Sequence, residues 1–240
     1  MRAKRKIISV CSCLAIVLGL LALAPRPCPA EKTSFGPETQ RIENAINVLN
    51  ELVGLPAEGI PARIFQKSSG IAVIPGVIKA AYGLGGQYGK GIIVLRNEKN
   101  EWSNPVFISL YGGSIGWQIG VQKADFILVF KTVQTIRNIA QGKITMGADV
   151  SVSAGPVGKT AEANTDLELK AEILSYSKSR GLFAGVSVKG ATIQIDKEAN
   201  RVFYEKGEIS IDEIFSGENV KAPAIVEKLK TVLAEYSKSI

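Results

Sequence analysis

An α+β fold is what this chain of 240 residues predicts: a strongly curved antiparallel β-sheet or sandwich of about eight to ten short strands with flanking helices. Three observations carry it. Period-two alternation recurs through the middle of the chain, as in Met146, Ala148, Val150, Val152 and Ala154, and again in Ala184, Val186 and Val188. That is the pattern of half-buried strands. Helical spacing of apolar residues appears near both ends and once between the strands. The opposite strand faces are nearly bare, with Gly147, Asp149, Ser151, Ser153 and Gly155 on one and Gly185 and Ser187 on the other. Small residues inside strands mark bends, bulges or close backbone approach, so the sheet is expected to curve.

The chain opens with Arg2, Lys4, Arg5 and Lys6, then an apolar run over residues 7–24, Pro25, and Cys28-Pro29-Ala30. This is the pattern of a secretory signal peptide over residues 1–30, cut before Glu31, with an uncleaved anchor as the alternative. Five of the 29 basic residues and none of the 22 acidic ones lie in it, so a net charge of +7 falls to +2 in the mature chain. A general nucleic-acid binder keeps a basic mature domain, and this chain does not. All three cysteines also fall in the signal, and the chain has no histidine. Disulfides, thiol nucleophiles, imidazole bases and the usual zinc sites are thereby excluded from the mature protein.

Residues 31–59 read as a lead-in and an amphipathic helix. Ile42, Ala45, Ile46, Leu49, Leu52 and Val53 share one face, Pro37 suits the first turn, and Gly54 with Pro56 ends the run. Its polar face carries Glu38, Glu43 and Glu51 against Arg41 alone, whereas a membrane-surface helix is rich in Lys and Arg. Docking on the core is therefore the expectation. Residues 60–68 suit a short helix, 70–75 a buried strand, and 80–96 one or two strands. The glycines there fit neither a dinucleotide fingerprint, since Tyr88 stands where glycine is needed, nor a P-loop, since Leu84 and Gly91 occupy its defining positions. A polar turn at 97–100 leads into a strand over 102–111. Ile115, Trp117, Ile119 and Val121 then alternate with small residues, and FILVF at 126–130 reads as a buried strand. Thr132 can cap a helix bearing Val133, Ile136, Ile139 and Ala140. After the central strands, 196–200 reads as a turn and RVFYEK at 201–206 as a last strand. Ser210 and Glu213 form a capping box, and Pro223 opens a final helix within residues 217–240.

The runs SAGPVGKTAEA and SYSKSRGLFAGVSVKG resemble the SYLF domain, a lipid-binding family with actin-binding fungal members. IPARIFQKSSGIAVIP, GLGGQYGKGIIVLR, WSNPVFISL and GSIGWQIGVQKADFILVF follow the family's order upstream, so the resemblance spans residues 60–216. Together with the signal pattern of residues 1–30, it gives the expectation of an exported, non-enzymatic protein that needs no cofactor. The implied partner is phospholipid or a membrane surface; the alternative is an envelope scaffold with a protein partner.

Residue chemistry agrees that catalysis is poorly supplied. Asp125 and Asp149 sit beside apolar strand residues, and the plain expectation is a carboxylate bonded to backbone at a strand end or one facing water. The strongest binding candidate is the stretch holding Tyr176, Lys178 and Arg180. In an extended segment these three project the same way, and Lys and Arg beside hydroxyls can hold a phosphate. Lys159, next to Gly158, is a second basic candidate for a lipid headgroup.

Overall fold

The fold is built round one pair of strands, β1 (Gly70–Leu95) of 26 residues and β2 (Val106–Phe130) of 25. The computed structural model describes residues 36–53, 59–157, 170–179 and 182–238. The expected signal peptide, Lys159 and Arg180 lie outside them. Around the long pair run α1 (Pro37–Val53), α2 (Ala62–Gln66), α3 (Val133–Gln141), β3 (Lys143–Thr145), β4 (Val152–Ala154), β5 (Ile173–Ser179), β6 (Leu182–Gly185), β7 (Ala191–Ile195), α4 (Lys197–Phe203), α5 (Ile211–Ser216) and α6 (Ala224–Lys238). The α+β class and the strong curvature are as the sequence predicts. Two strands are far longer than expected, and those among the described residues form one sheet in the order β3-β7-β2-β5-β4, with β1 on β2 and β6 on β5. Pairing is antiparallel except between β4 and β5, which makes the sheet mixed.

β1 and β2 pair from Gly70↔Phe130 to Ile93↔Val106, yet β1 also folds back on itself. A Cβ on Gly70 would lie 2.6 Å from the Val94 carbonyl oxygen, and one on Gly89 would lie 2.8 Å from Val77 Cγ2. The two arms of β1 thus stack at backbone distance, and glycine is what lets them. The bent ribbon gives β2 different neighbours along its other edge: β7 at Ile108 to Gly112 and β5 at Asp125 to Phe130. Between them, among the described residues, β2 pairs with β1 alone. Pro75 does not end β1, because the register shifts between Ile74 and Val77 and Gly76 takes φ +61° in the bulge. Asp125 Oδ1 accepts the freed Gly76 amide at 2.8 Å.

Two expected strands are corrected. The run from Met146 to Ala154 is broken: Gly147 takes φ +86°, and Asp149 Oδ2 accepts the Thr145 amide at 2.7 Å, turning the chain before β4. Residues 201–206 are no strand; 201–203 complete α4. Asp196 caps that helix by accepting from the Ala199 amide, and buried Asn200 ties it to both Phe107 backbone groups. A local cap and a buried amide outweigh the alternation of RVFYEK.

The remaining helices follow their sequence signals. Thr132 caps α3 through the Thr135 amide, and Ser210 with Glu213 forms the full capping box of α5. α1 buries Ile42, Ala45, Ile46, Val48 and Leu49 in the same core that takes Val226, Leu229 and Leu233 of α6. α1 is thus a core helix, as its acidic face suggests. Phe65 sits between Trp102 and Tyr236, at ring centroid distances of 5.8 and 4.3 Å.

The capping box yields a pH signature. Lys206 foremost, then the Ser210 amide and hydroxyl, hold the Glu213 carboxyl down to about 2 from 4.5. A depressed carboxyl contributes stability above its unfolded value and loses it as pH falls through its folded one. Glu213→Ala is therefore expected to lower the melting temperature at neutral pH, with the gap to the parent closing as pH drops from 4.5 towards about 2. A gap independent of pH in thermal melts would contradict this role.

Candidate functional site

Two residues of the expected basic spot, Tyr176 and Lys178, are among the described residues. Tyr176 is fully buried, its ring seated against Gly155, and burial pushes its phenol far above the ordinary range. It therefore offers no edge to a membrane, which corrects the expected surface position. β5 is covered on both faces, since Ser175 and Tyr176 are both inaccessible, so alternation there does not separate inside from outside. Lys178 forms an ion pair with Glu51 in the last turn of α1, and its side chain is only 14% exposed. Ser175 donates its hydroxyl to the Ser153 and Val186 carbonyls. Asp125 and Asp149 each accept a backbone amide, the structural role expected of them.

The middle of the β1–β2 ribbon presents a different surface. Ile78 stands directly opposite Lys123 and Ala80 opposite Val121, which puts these four on one face. Ile78 is 49% exposed and Val121 75%. On the returning arm Tyr88 is 50% exposed, opposite Tyr111, whose hydroxyl reaches Gln194. A groove of about 500 Å³ separates α1 from the ribbon, lined by Pro37, Arg41, Pro75, Ile78, Tyr88 and Lys90. The alternation of Ile115, Trp117, Ile119 and Val121 is visible in the sequence; that its Val121 end faces solvent is not.

Charge fixes the base of this ribbon. Asp196 Oδ2 accepts from Arg41 Nη1 of α1 at 3.1 Å and lies 3.2 Å from Lys90 Nζ of β1. Burial alone would raise the Asp196 carboxyl, but the Ala199 amide, Lys90 and Arg41 together hold it below its ordinary value. Arg41 also stacks over Phe107 at 5.1 Å. Lys79 Nζ sits 4.6 Å above the Phe126 ring, and burial lowers its pKa. The base is thus a tied joint of α1, α4 and β1, and the ribbon leaves it with exposed apolar side chains beside exposed lysine. Such a surface can bind by apolar contact flanked by cations. Among the described residues no cluster of His, Cys, Asp or Glu could hold a metal ion, and no helix is long and apolar enough to cross a membrane.

Comparison with known proteins bears on the same region. Protein YSC84 of Saccharomyces cerevisiae is 34% identical over 210 residues, covering 86% of this chain and 44% of its own length. LAS seventeen-binding protein 3 of the same yeast is 37% identical over 177 residues, 72% of this chain and 38% of that protein. SH3 domain-containing YSC84-like protein 1 of Homo sapiens is 32% identical over 212 residues, 88% of this chain and 61% of that protein. The chain thus spans between about two fifths and three fifths of the length of these relatives. The family model described as Las17-binding protein actin regulator matches residues 111–236, from the returning arm of the ribbon to α6. With that match and these relatives, the chain belongs to the Ysc84 family, the SYLF-domain group that its sequence resembles.

Proposed function

We propose that this chain is a non-enzymatic lipid-binding module of the bacterial cell envelope, exported to the periplasm or secreted and associated there with phospholipid or another amphiphile. One observation supports this best. Four large hydrophobic side chains stand exposed among the described residues, and three of them, Ile78, Tyr88 and Val121, belong to one ribbon. Scattered exposed apolar residues need no explanation, but a grouped set beside lysine points to a binding surface. The lack of histidine and of cysteine beyond residue 28 supports a role without catalysis. Export rests on the pattern of residues 1–30. The test is purification from envelope fractions under native conditions, followed by N-terminal sequencing and mass spectrometry of extracted lipid. The expected result is a chain beginning at Glu31 with phospholipid in stoichiometric amount. Retained Met1 would overturn processing, and lipid-free protein that ignores vesicles would overturn the lipid reading.

A second reading has its own support, since one relative is named for binding another protein. On that reading the chain is an envelope scaffold with a protein partner. A discrete partner crosslinked from lipid-free extracts, together with no vesicle binding, would favour it.

A further inference from the structure

We propose that the bend of the β1–β2 ribbon is a wedge that enters the interfacial layer of an anionic phospholipid bilayer, an inference that rests on the lipid-binding reading above. Backbone geometry places the bend. Gly70 stacks on Val94, and Gly89 on Val77, so β1 turns back near Tyr82. The pairing slips at the same point: Ala81 faces Gly120 and Gly83 faces Gly116. Where β1 uses Tyr82 alone, β2 uses residues 117–119 and so takes the longer, outer path. The bend therefore carries the sequences AAYGL (residues 80–84) and IGWQIGV (residues 115–121), which hold no charge, one tyrosine and one tryptophan. Tyr and Trp are the side chains that favour the boundary between headgroups and acyl chains.

Charge and hydrogen bonding set the orientation and the depth. Residues 77–93 and 106–124 contain Lys79, Lys90 and Lys123 and no carboxylate. Lys79 lies three residues from Tyr82 and Lys123 five from Gln118, about 10–17 Å along a strand at ~3.3 Å per residue. With the bend in the interface, exposed Lys123 reaches towards the headgroups. The outer edge of β2 is unpaired at the bend among the described residues, and unpaired backbone groups do not enter hydrocarbon. The insertion is therefore shallow.

The chain has two tryptophans, and they divide the test between them. Trp102 is 6% exposed in the core against Phe65, so its emission should ignore lipid. Trp117 should shift to shorter wavelength when the purified protein meets phosphatidylglycerol–phosphatidylethanolamine vesicles, and brominated acyl chains should quench it. Trp117→Phe leaves Trp102 as the remaining indole and should lose both responses while the protein still floats with vesicles. Lys123→Gln should weaken binding to these vesicles about fivefold, as expected for one basic group at an anionic surface. Vesicles of phosphatidylcholine alone should bind more weakly than the anionic ones. Flotation with no response from Trp117 would overturn the wedge and leave lipid binding to another surface. Equal binding to neutral and anionic vesicles would overturn the anionic preference. No flotation at all would overturn the lipid reading itself.

Discussion

Ile78→Asp/Val121→Asp is expected to lower affinity for anionic phospholipid vesicles by about a hundredfold, enough to leave the protein at the bottom of a flotation gradient. Each parent side chain stands half to three-quarters exposed on the ribbon and can lose that exposure in an interface. Burying the exposed half to three-quarters of each side chain contributes about 1–2 kcal/mol, so losing both costs about 3, and every 1.4 kcal/mol is tenfold in affinity. The fold should tolerate the change, because exposed substitutions away from special features cost within about 0.5 kcal/mol, rising to ~1 for Asp in a strand. Circular dichroism and melting temperature close to the parent's would show that the loss concerns the surface. Undiminished flotation of a folded double variant would remove the ribbon from the account.

Gly185→Val should have the largest effect on stability. A Cβ at Gly185 would strike the Gly155 carbonyl oxygen and come within 3.2 Å of Ala154 Cβ. Gly155 has little room to yield, because the Tyr176 ring fills the space that a Cβ on Gly155 would take. β4, β5 and β6 thus meet through a stack of two glycines and a buried tyrosine, with backbone on both sides of the intruding group. Overpacking of this kind costs about 1–3 kcal/mol, occasionally more. At the upper end, about 3 kcal/mol, the melting temperature should fall by roughly 6–12 °C for a domain of this size. Gly113→Ala is the control: it is exposed, and a Cβ there would find its nearest neighbour, the Gly85 carbonyl oxygen, at 3.9 Å. Equal melting temperatures for Gly185→Val and the parent would mean that the β4–β6 layer opens freely.

What was legible in the sequence is what is locally determined. Thr132, Ser210 with Glu213, and Pro37 mark helix starts through hydrogen bonds or φ preferences within one turn, and all three open helices where expected. The α+β class follows from the same local periodicities. Long-range features were less readable. Pro75 and the glycines of residues 83–91 look like breaks between short strands, yet one strand runs through them because its two arms stack on each other. RVFYEK alternates like a strand, but buried Asn200 holds the segment as helix through contacts with Phe107 far away in sequence. The candidate site shows the same limit. Equal parity put Tyr176 and Lys178 together, and only packing tells that the first is buried and the second paired with Glu51 of α1. Conversely, Ile78 and Val121 carry no polar signal that would single them out. Their significance comes from a register that sets them beside Lys123 and Ala80 on an open face.

Hydrogen–deuterium exchange of the purified protein, with and without anionic vesicles, tests most directly the claim that the ribbon meets the lipid. Half of the β2 amides between residues 113 and 124 point away from β1 and lack a strand partner among the described residues, so they report cover by a bilayer. The account predicts slowed exchange in peptides spanning residues 77–88 and 111–123, with α1, α6 and the segment around Tyr176 and Lys178 unchanged. Protection confined to residues 158–181, with the ribbon exchanging as it does in water, would contradict it and move the lipid site to Lys159 and Arg180.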